Sequence, residues 1–243
     1  MKSFSNTYIF VFSAVMVTVV AILLSFVSEQ LRPAQEKNIE IEKKLDILRS
    51  VHRAVDAATA KDKDAYVEKE YDEFITSSIV LDHEGNIKEG IDAFGINMKL
   101  ELSKPDEEKN LPVFIFTGTD SIHKYIFPLW GKGLWGPIWG YISLDDDFTT
   151  IFGAVFAHTS ETPGLGAEIN TKAFQDQFMD KVIFDQQNNF ISIQVVRGGA
   201  KPDDPSAVDA ISGGTITSKA LQKIMFVCLE SYETYLQSKR SQQ

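Results

Sequence analysis

The sequence predicts an α+β fold, with a single N-terminal transmembrane helix followed by a domain of mixed strands and helices. Three observations predict it. Residues 8–27 form a run without a charge, long enough to cross a hydrocarbon core of about 30 Å as a helix. From residue 76 onward, short β-type runs alternate with turns rich in Gly, Pro, Asn and Asp. The chain then closes on a long segment whose apolar residues recur at helical spacing. The boundaries expected are a tail at 1–7, the transmembrane helix at 8–27, a charged helical connector at 28–75 and the domain at 76–243.

Each element has its own justification. The apolar run at 8–27 exceeds the 7–15 residues usual for the core of a secretory signal, and Ser-Glu-Gln-Leu-Arg-Pro follows it in place of an Ala-x-Ala cleavage pattern. A retained anchor is therefore expected. Lys2 stands on one side of the run, Arg32 and Lys37 on the other, so charge alone does not orient it. Residues 35–71 are charged and rich in helix formers, with apolar positions at Ile39, Ile41, Leu45, Leu48, Val51 and Val55. That pattern predicts a helix or helix pair with one solvated face. Strands are expected at 77–82, before the turn at 83–86, and at 111–117. The segment 101–110 is a polar loop. Strands at 124–130 and 138–144 flank the glycine-rich Gly131–Gly136 stretch, and others follow at 149–158 and 191–197. Helices are expected at about 171–178 and 217–237. In the last, Ala220, Leu221, Ile224, Val227, Cys228, Ser231 and Tyr235 mark one face.

Composition narrows the function classes. The chain has 243 residues and 34 acidic against 24 basic side chains, a net charge of −10. This argues against a nucleic-acid partner. A single Cys228 excludes an internal disulfide framework and a cysteine-rich metal site. His52, His83, His123 and His158 are scattered, with no i,i+4 pair, so no metal site is expected. Gly131-x-Gly133 lacks the third glycine of a dinucleotide-binding fingerprint.

Two glycine loops carry the chemistry. Asp209-Ala210-Ile211-Ser212-Gly213-Gly214-Thr215-Ile216-Thr217-Ser218 precedes the C-terminal helix. Its glycines permit a tight turn. The helix start behind them leaves N–H groups unpaired, and these with the helix dipole favour a phosphate. The plain alternative is an N-cap turn. The second loop, Glu161-Thr162-Pro163-Gly164-Leu165-Gly166, offers accessible backbone N–H groups that would suit a planar ligand with many acceptors. Its plain alternative is a connector.

Taken together, Glu161-Thr162-Pro163-Gly164-Leu165-Gly166 and Asp209-x-x-Ser212-Gly213-x-Thr215 resemble the covalent FMN-binding domain family. Gly131-Lys132-Gly133-Leu134-Trp135, Val196-Arg197-Gly198-Gly199-Ala200 and the single N-terminal anchor narrow the likeness to anchored flavoprotein subunits of bacterial sodium-pumping respiratory complexes. One position departs from that pattern: Gly214 stands where the family usually has Ala. The resemblance implies that Thr215 is the acceptor of a phosphodiester bond to FMN. A separate flavin transferase would attach it, using FAD and magnesium. Asp209, Ser212, Gly213 and Gly214 would form the recognition motif, with Thr217 a minor acceptor candidate. Glu161, Thr162, Gly164, Leu165 and Gly166, with Leu134 and Trp135, would lie near the isoalloxazine. Arg197 would lie near the phosphate end, its alternative being a solvated strand-end charge. Trp130 and Trp139 read equally as packing residues.

The resemblance further implies electron transfer toward quinone, partners among the other members of an assembly of six subunits, and no catalysis by this chain alone. It places the chain in the bacterial inner membrane, with its FMN domain on the periplasmic side. Two other readings share the motif: the flavin subunit of an Rnf electron-transport complex, and a membrane-anchored FMN-binding sensor.

Overall fold

A computed structural model describes residues 5–119 and 122–242; Lys2, used above to weigh orientation, lies outside them. The chain divides into two compact units, Met1–Lys43 and Lys44–Gln243.

Helix α1, Asn6–Ser50, begins in the first unit and ends in the second. It is long and apolar enough to cross a membrane, by length and composition. Its side chains from Tyr8 to Val27 are exposed, as expected of an apolar surface whose solvent is lipid. Pro33 sits inside it. The charged segment that follows is thus a continuation of α1 and then a separate helix, α2 (Lys63–Phe74), capped by the Asp62 carboxylate on the Ala65 N–H. His52 and Ala54, both at positive φ, turn the chain between them. Leu45, Leu48 and Val51 are buried as their spacing predicts, whereas Val55 is exposed because it falls beyond the helix end.

Five strands form one antiparallel meander in chain order: β1 Ile75–Leu81, β2 Leu111–Thr117, β3 His123–Lys132, β4 Pro137–Leu144 and β5 Ile151–His158. A short helix, α3 (Met98–Glu101), lies in the β1–β2 connection. Register puts Trp130 opposite Trp139 and Lys132 opposite Pro137. The β3–β4 hairpin therefore closes through Gly133–Gly136, with the Gly133 N–H donating to the Gly136 carbonyl. β5 starts two residues later than its pattern suggests. The Asp147 carboxylate accepts from the Thr149 and Thr150 N–H groups and holds them in a turn.

The expected helix at 171–178 is a run of short turns containing α4 (Lys172–Gln175). β6 is only Gln194–Val196, because Ser192 is held at φ 54° and breaks the strand before it. It pairs in parallel with β7, Ala207–Asp209. The C-terminal helix starts at Thr215 and divides into α5 (Thr215–Glu230) and α6 (Glu233–Arg240). The break falls at Tyr232, fully buried, whose hydroxyl donates to the Pro112 carbonyl.

The core lies between the sheet and α5. Leu221, Ile224, Met225, Cys228 and Leu229 pack with Phe127, Leu129, Ile142 and Phe156. The buried face of α5 includes Met225 and Leu229 where the sequence suggested Val227, which is exposed. Gly131 lets α5 approach β3: a Cβ there would lie 2.3 Å from Ile224 Cγ1. Burial pushes the Cys228 thiol pKa up to about 11, so this is a packed thiol, not a reactive one.

Candidate functional site

The two glycine loops meet at the start of α5. Gly213, at φ 74°, turns the chain, and a Cβ on it would strike Leu165 Cδ2 at 2.5 Å. A Cβ on Gly214 would lie 3.3 Å from the Gly166 nitrogen. Loop 161–166 is therefore seated directly on residues 213–217. Gly164, at φ 75°, makes its own tight turn, and its N–H donates to the Glu168 carboxylate. The β3–β4 hairpin joins the group through Trp135, whose N–H donates to Glu161 Oε1 at 3.0 Å.

The Gly214 position also accounts for the departure from alanine. A Cβ there would press on Ile211 Cγ2 at 2.9 Å, so the β-branched Ile211 and a glycine at 214 fit together.

Thr215 is the first helical residue of α5 and is half-buried, with Gly214 before it supplying no side-chain cap. The first-turn N–H groups therefore keep their capacity to bind an anion. Thr217, two residues on, is 1% exposed, and its hydroxyl donates to Glu161 Oε2 at 2.6 Å. The Ser218 hydroxyl, also buried, accepts from the Ile211 N–H. Leu134, Trp135, Leu165 and Ile216 are exposed, on the three segments that meet here. An apolar surface of this kind, beside an uncapped helix start, fits a group with a phosphate at one end and a flat ring at the other.

Glu161 is buried, at 4% exposure. Burial pushes its pKa up. Hydrogen bonds from the Thr217 hydroxyl and the Trp135 and Leu134 N–H groups, with His158 nearby, more than offset this, so its carboxyl titrates below its ordinary 4.5. The Glu161 N–H points at His158 Nδ1 at 3.3 Å, which places the imidazole proton on Nε2. That nitrogen is buried without a partner.

The remaining expected site residues stand further out along the motif. Asp209 ends β7 and accepts from the Ala200 N–H at 2.7 Å, while its own N–H donates to Gln177. Arg197 is exposed just past β6, and the Val196 carbonyl beside it accepts from the Ala210 N–H. Ser212 and Thr162 are exposed. The structure thus joins Glu161, Leu165, Gly166, Trp135, Gly213 and Gly214 around the start of α5, and sets Asp209 and Arg197 at the β6–β7 end. Sequence reading missed the Glu161–Thr217 pair and His158; a buried polar pair between distant segments has no periodic trace. No group of three His, Cys, Asp or Glu side chains suited to a metal ion occurs among the described residues.

Comparison with known proteins agrees with this geometry. The FMN-binding domain family matches residues 133–230, which span the hairpin, both glycine loops and α5. NqrC, the C component of the Na(+)-translocating NADH-quinone reductase, provides the relatives. The protein from Vibrio vulnificus is 37% identical over 110 residues, 45% of this chain and 43% of that one. The chain thus spans under half the length of that relative. The Vibrio alginolyticus protein is 28% identical over 219 residues, covering 84% and 82% of the two chains. The crystal structure of the Parabacteroides distasonis protein superposes with a TM-score of 0.74 at 39% identity, covering 85% of this chain and 96% of that one.

Fold and site together define an FMN-binding domain protein with an apolar N-terminal helix. Within that class, the chain belongs to the NqrC family of Na(+)-translocating NADH-quinone reductases.

Proposed function

We propose that this chain is the membrane-anchored NqrC flavoprotein of a sodium-pumping NADH:quinone oxidoreductase (Nqr) of six subunits, with FMN bound covalently to Thr215. The observation that carries this reading is the contrast between two neighbouring hydroxyls. Thr215 opens α5 beside an uncapped turn, whereas Thr217 is buried and donates to Glu161. A transferase can reach the first and not the second.

Attachment joins the Thr215 oxygen to the FMN-side phosphorus of FAD, breaks the phosphoanhydride bond to AMP and releases the hydroxyl proton. Loop 161–166, Leu134 and Trp135 would border the ring, and the α5 N-terminus would neutralise the phosphate. Asp209, Ser212, Gly213 and Gly214 would be read by the transferase, and Arg197 would face the phosphate end. When bound, the flavin supplies one- and two-electron chemistry, and the protein supplies position and electrostatics. A tether lets the ring stay exposed to redox partners without being lost. The domain would lie on the periplasmic side of the inner membrane and pass electrons between the other subunits toward quinone.

Co-expression with a flavin transferase followed by a denaturing gel tests the reading. The wild-type band is expected to fluoresce under ultraviolet light and Thr215→Ala to be dark. A dark wild-type band would overturn the covalent reading.

A further inference from the structure

The Glu161 carboxylate faces into the protein, and its bonds within the fold are already made. Oε2 accepts from the Thr217 hydroxyl at 2.6 Å and Oε1 from the Trp135 N–H at 3.0 Å, and the Leu134 N–H also bonds to it. Thr217 lies on α5, Trp135 in the β3–β4 hairpin and Glu161 at the head of loop 161–166. One side chain thus ties together the three segments that make the site.

Two glycines of the site exist because of this carboxylate. A Cβ on Gly133 would stand 2.5 Å from Glu161 Oε1. A Cβ on Gly166 would stand 2.6 Å from Oε2 and 2.3 Å from Thr217 Oγ1. The glycines of the hairpin and of the loop thereby leave room for a carboxylate and its hydroxyl partner. Thr217 is in the first turn of α5, two residues past Thr215, so whatever fixes it fixes the direction in which that turn presents the Thr215 hydroxyl. Charge-assisted hydrogen bonds are the strong members of their class, and a buried one with few alternatives holds its partners in a single geometry.

We propose that Glu161 and Thr217 form one coupled pair that positions Thr215 for flavin attachment, with Glu161 a positioning residue, not a flavin contact. This rests on the covalent-FMN reading above. Because the pair acts as a unit, breaking it from either side has the same consequence. Glu161→Gln cannot replace it: an amide presents one acceptor and one donor to two groups that both donate.

The test is the initial rate of flavin attachment to the full chain in detergent, with purified flavin transferase, FAD and magnesium. Glu161→Gln and Thr217→Val are each expected to lower the rate at saturating FAD by roughly tenfold, the scale of one charge-assisted hydrogen bond. The KM for FAD is expected to stay unchanged. The double variant is expected to be no slower than the slower single variant, and Thr217→Ser, which keeps the hydroxyl, to label at close to the wild-type rate. Wild-type rates in both single variants, or effects that multiply in the double variant, would overturn the proposal. So would a Thr217→Ser rate as low as that of Thr217→Val, a comparison that stands even where Glu161→Gln fails to fold. Thr215→Ala is the separate control: labelling there would sink the covalent assignment to Thr215, not the coupling of Glu161 to Thr217.

Discussion

Glu161 shows how one side chain can decide local architecture. Its carboxyl is held below its ordinary 4.5 although burial alone would raise it, because Thr217, Trp135 and Leu134 all bond to the charged form. A group whose pKa is lower in the folded chain than in the unfolded one adds stability above the unfolded value. That contribution is lost as pH falls through the folded value. The stability gap between wild type and Glu161→Gln is therefore expected to be constant near neutrality and to shrink as pH is lowered from roughly 5 to 3. Urea unfolding at a series of pH values measures it. A gap that does not change with pH would show that the charge on Glu161 is not what matters.

At the scale of elements, α5 does two jobs: its N-terminus makes the site, and its buried face closes the core. The approach of α5 to β3 depends on Gly131, where any Cβ would meet Ile224. Gly131→Ala is expected to cost about 1–3 kcal/mol by overpacking, partly recovered when Ile224→Val is added. Denaturant midpoints of the single and double variants decide it; a neutral Gly131→Ala would contradict the packing described.

Much of this level was legible in the sequence. β2 occupies Leu111–Thr117 as its apolar run indicated, and the hairpin closes on the glycines of the Gly131–Gly136 stretch. Elsewhere local pattern gave way to particular contacts. β6 is cut short by the left-handed Ser192, and the last helix is broken where Tyr232 turns inward to bond Pro112. The site divides in the same way. Both glycine loops stand out by composition, whereas the Glu161–Thr217 bond joins positions 56 residues apart. No spacing rule reaches across that distance.

At the scale of the whole molecule, the division into Met1–Lys43 and Lys44–Gln243 separates a helix suited to lipid from a domain with its own core. The second unit needs the end of α1. Leu45, Ile47 and Leu48 are buried, and the Ser50 carbonyl accepts from the Ser143 hydroxyl at 2.6 Å. A fragment of residues 44–243 is expected to be soluble and to unfold in one cooperative transition. A fragment of 52–243 is expected to be less stable by several kcal/mol, since each buried leucine removed costs about 2–5 kcal/mol. Thermal unfolding followed by circular dichroism compares the two; equal stability would show that the end of α1 is no part of the core.

The central claim is that the start of α5 presents Thr215, and withholds Thr217, for covalent flavin attachment. Mass spectrometry of the peptide containing both residues, from chain co-expressed with a flavin transferase, tests it most directly. The account predicts the FMN mass on Thr215 alone. FMN on Thr217, or a peptide without FMN while the flavin stays loosely bound, would contradict it.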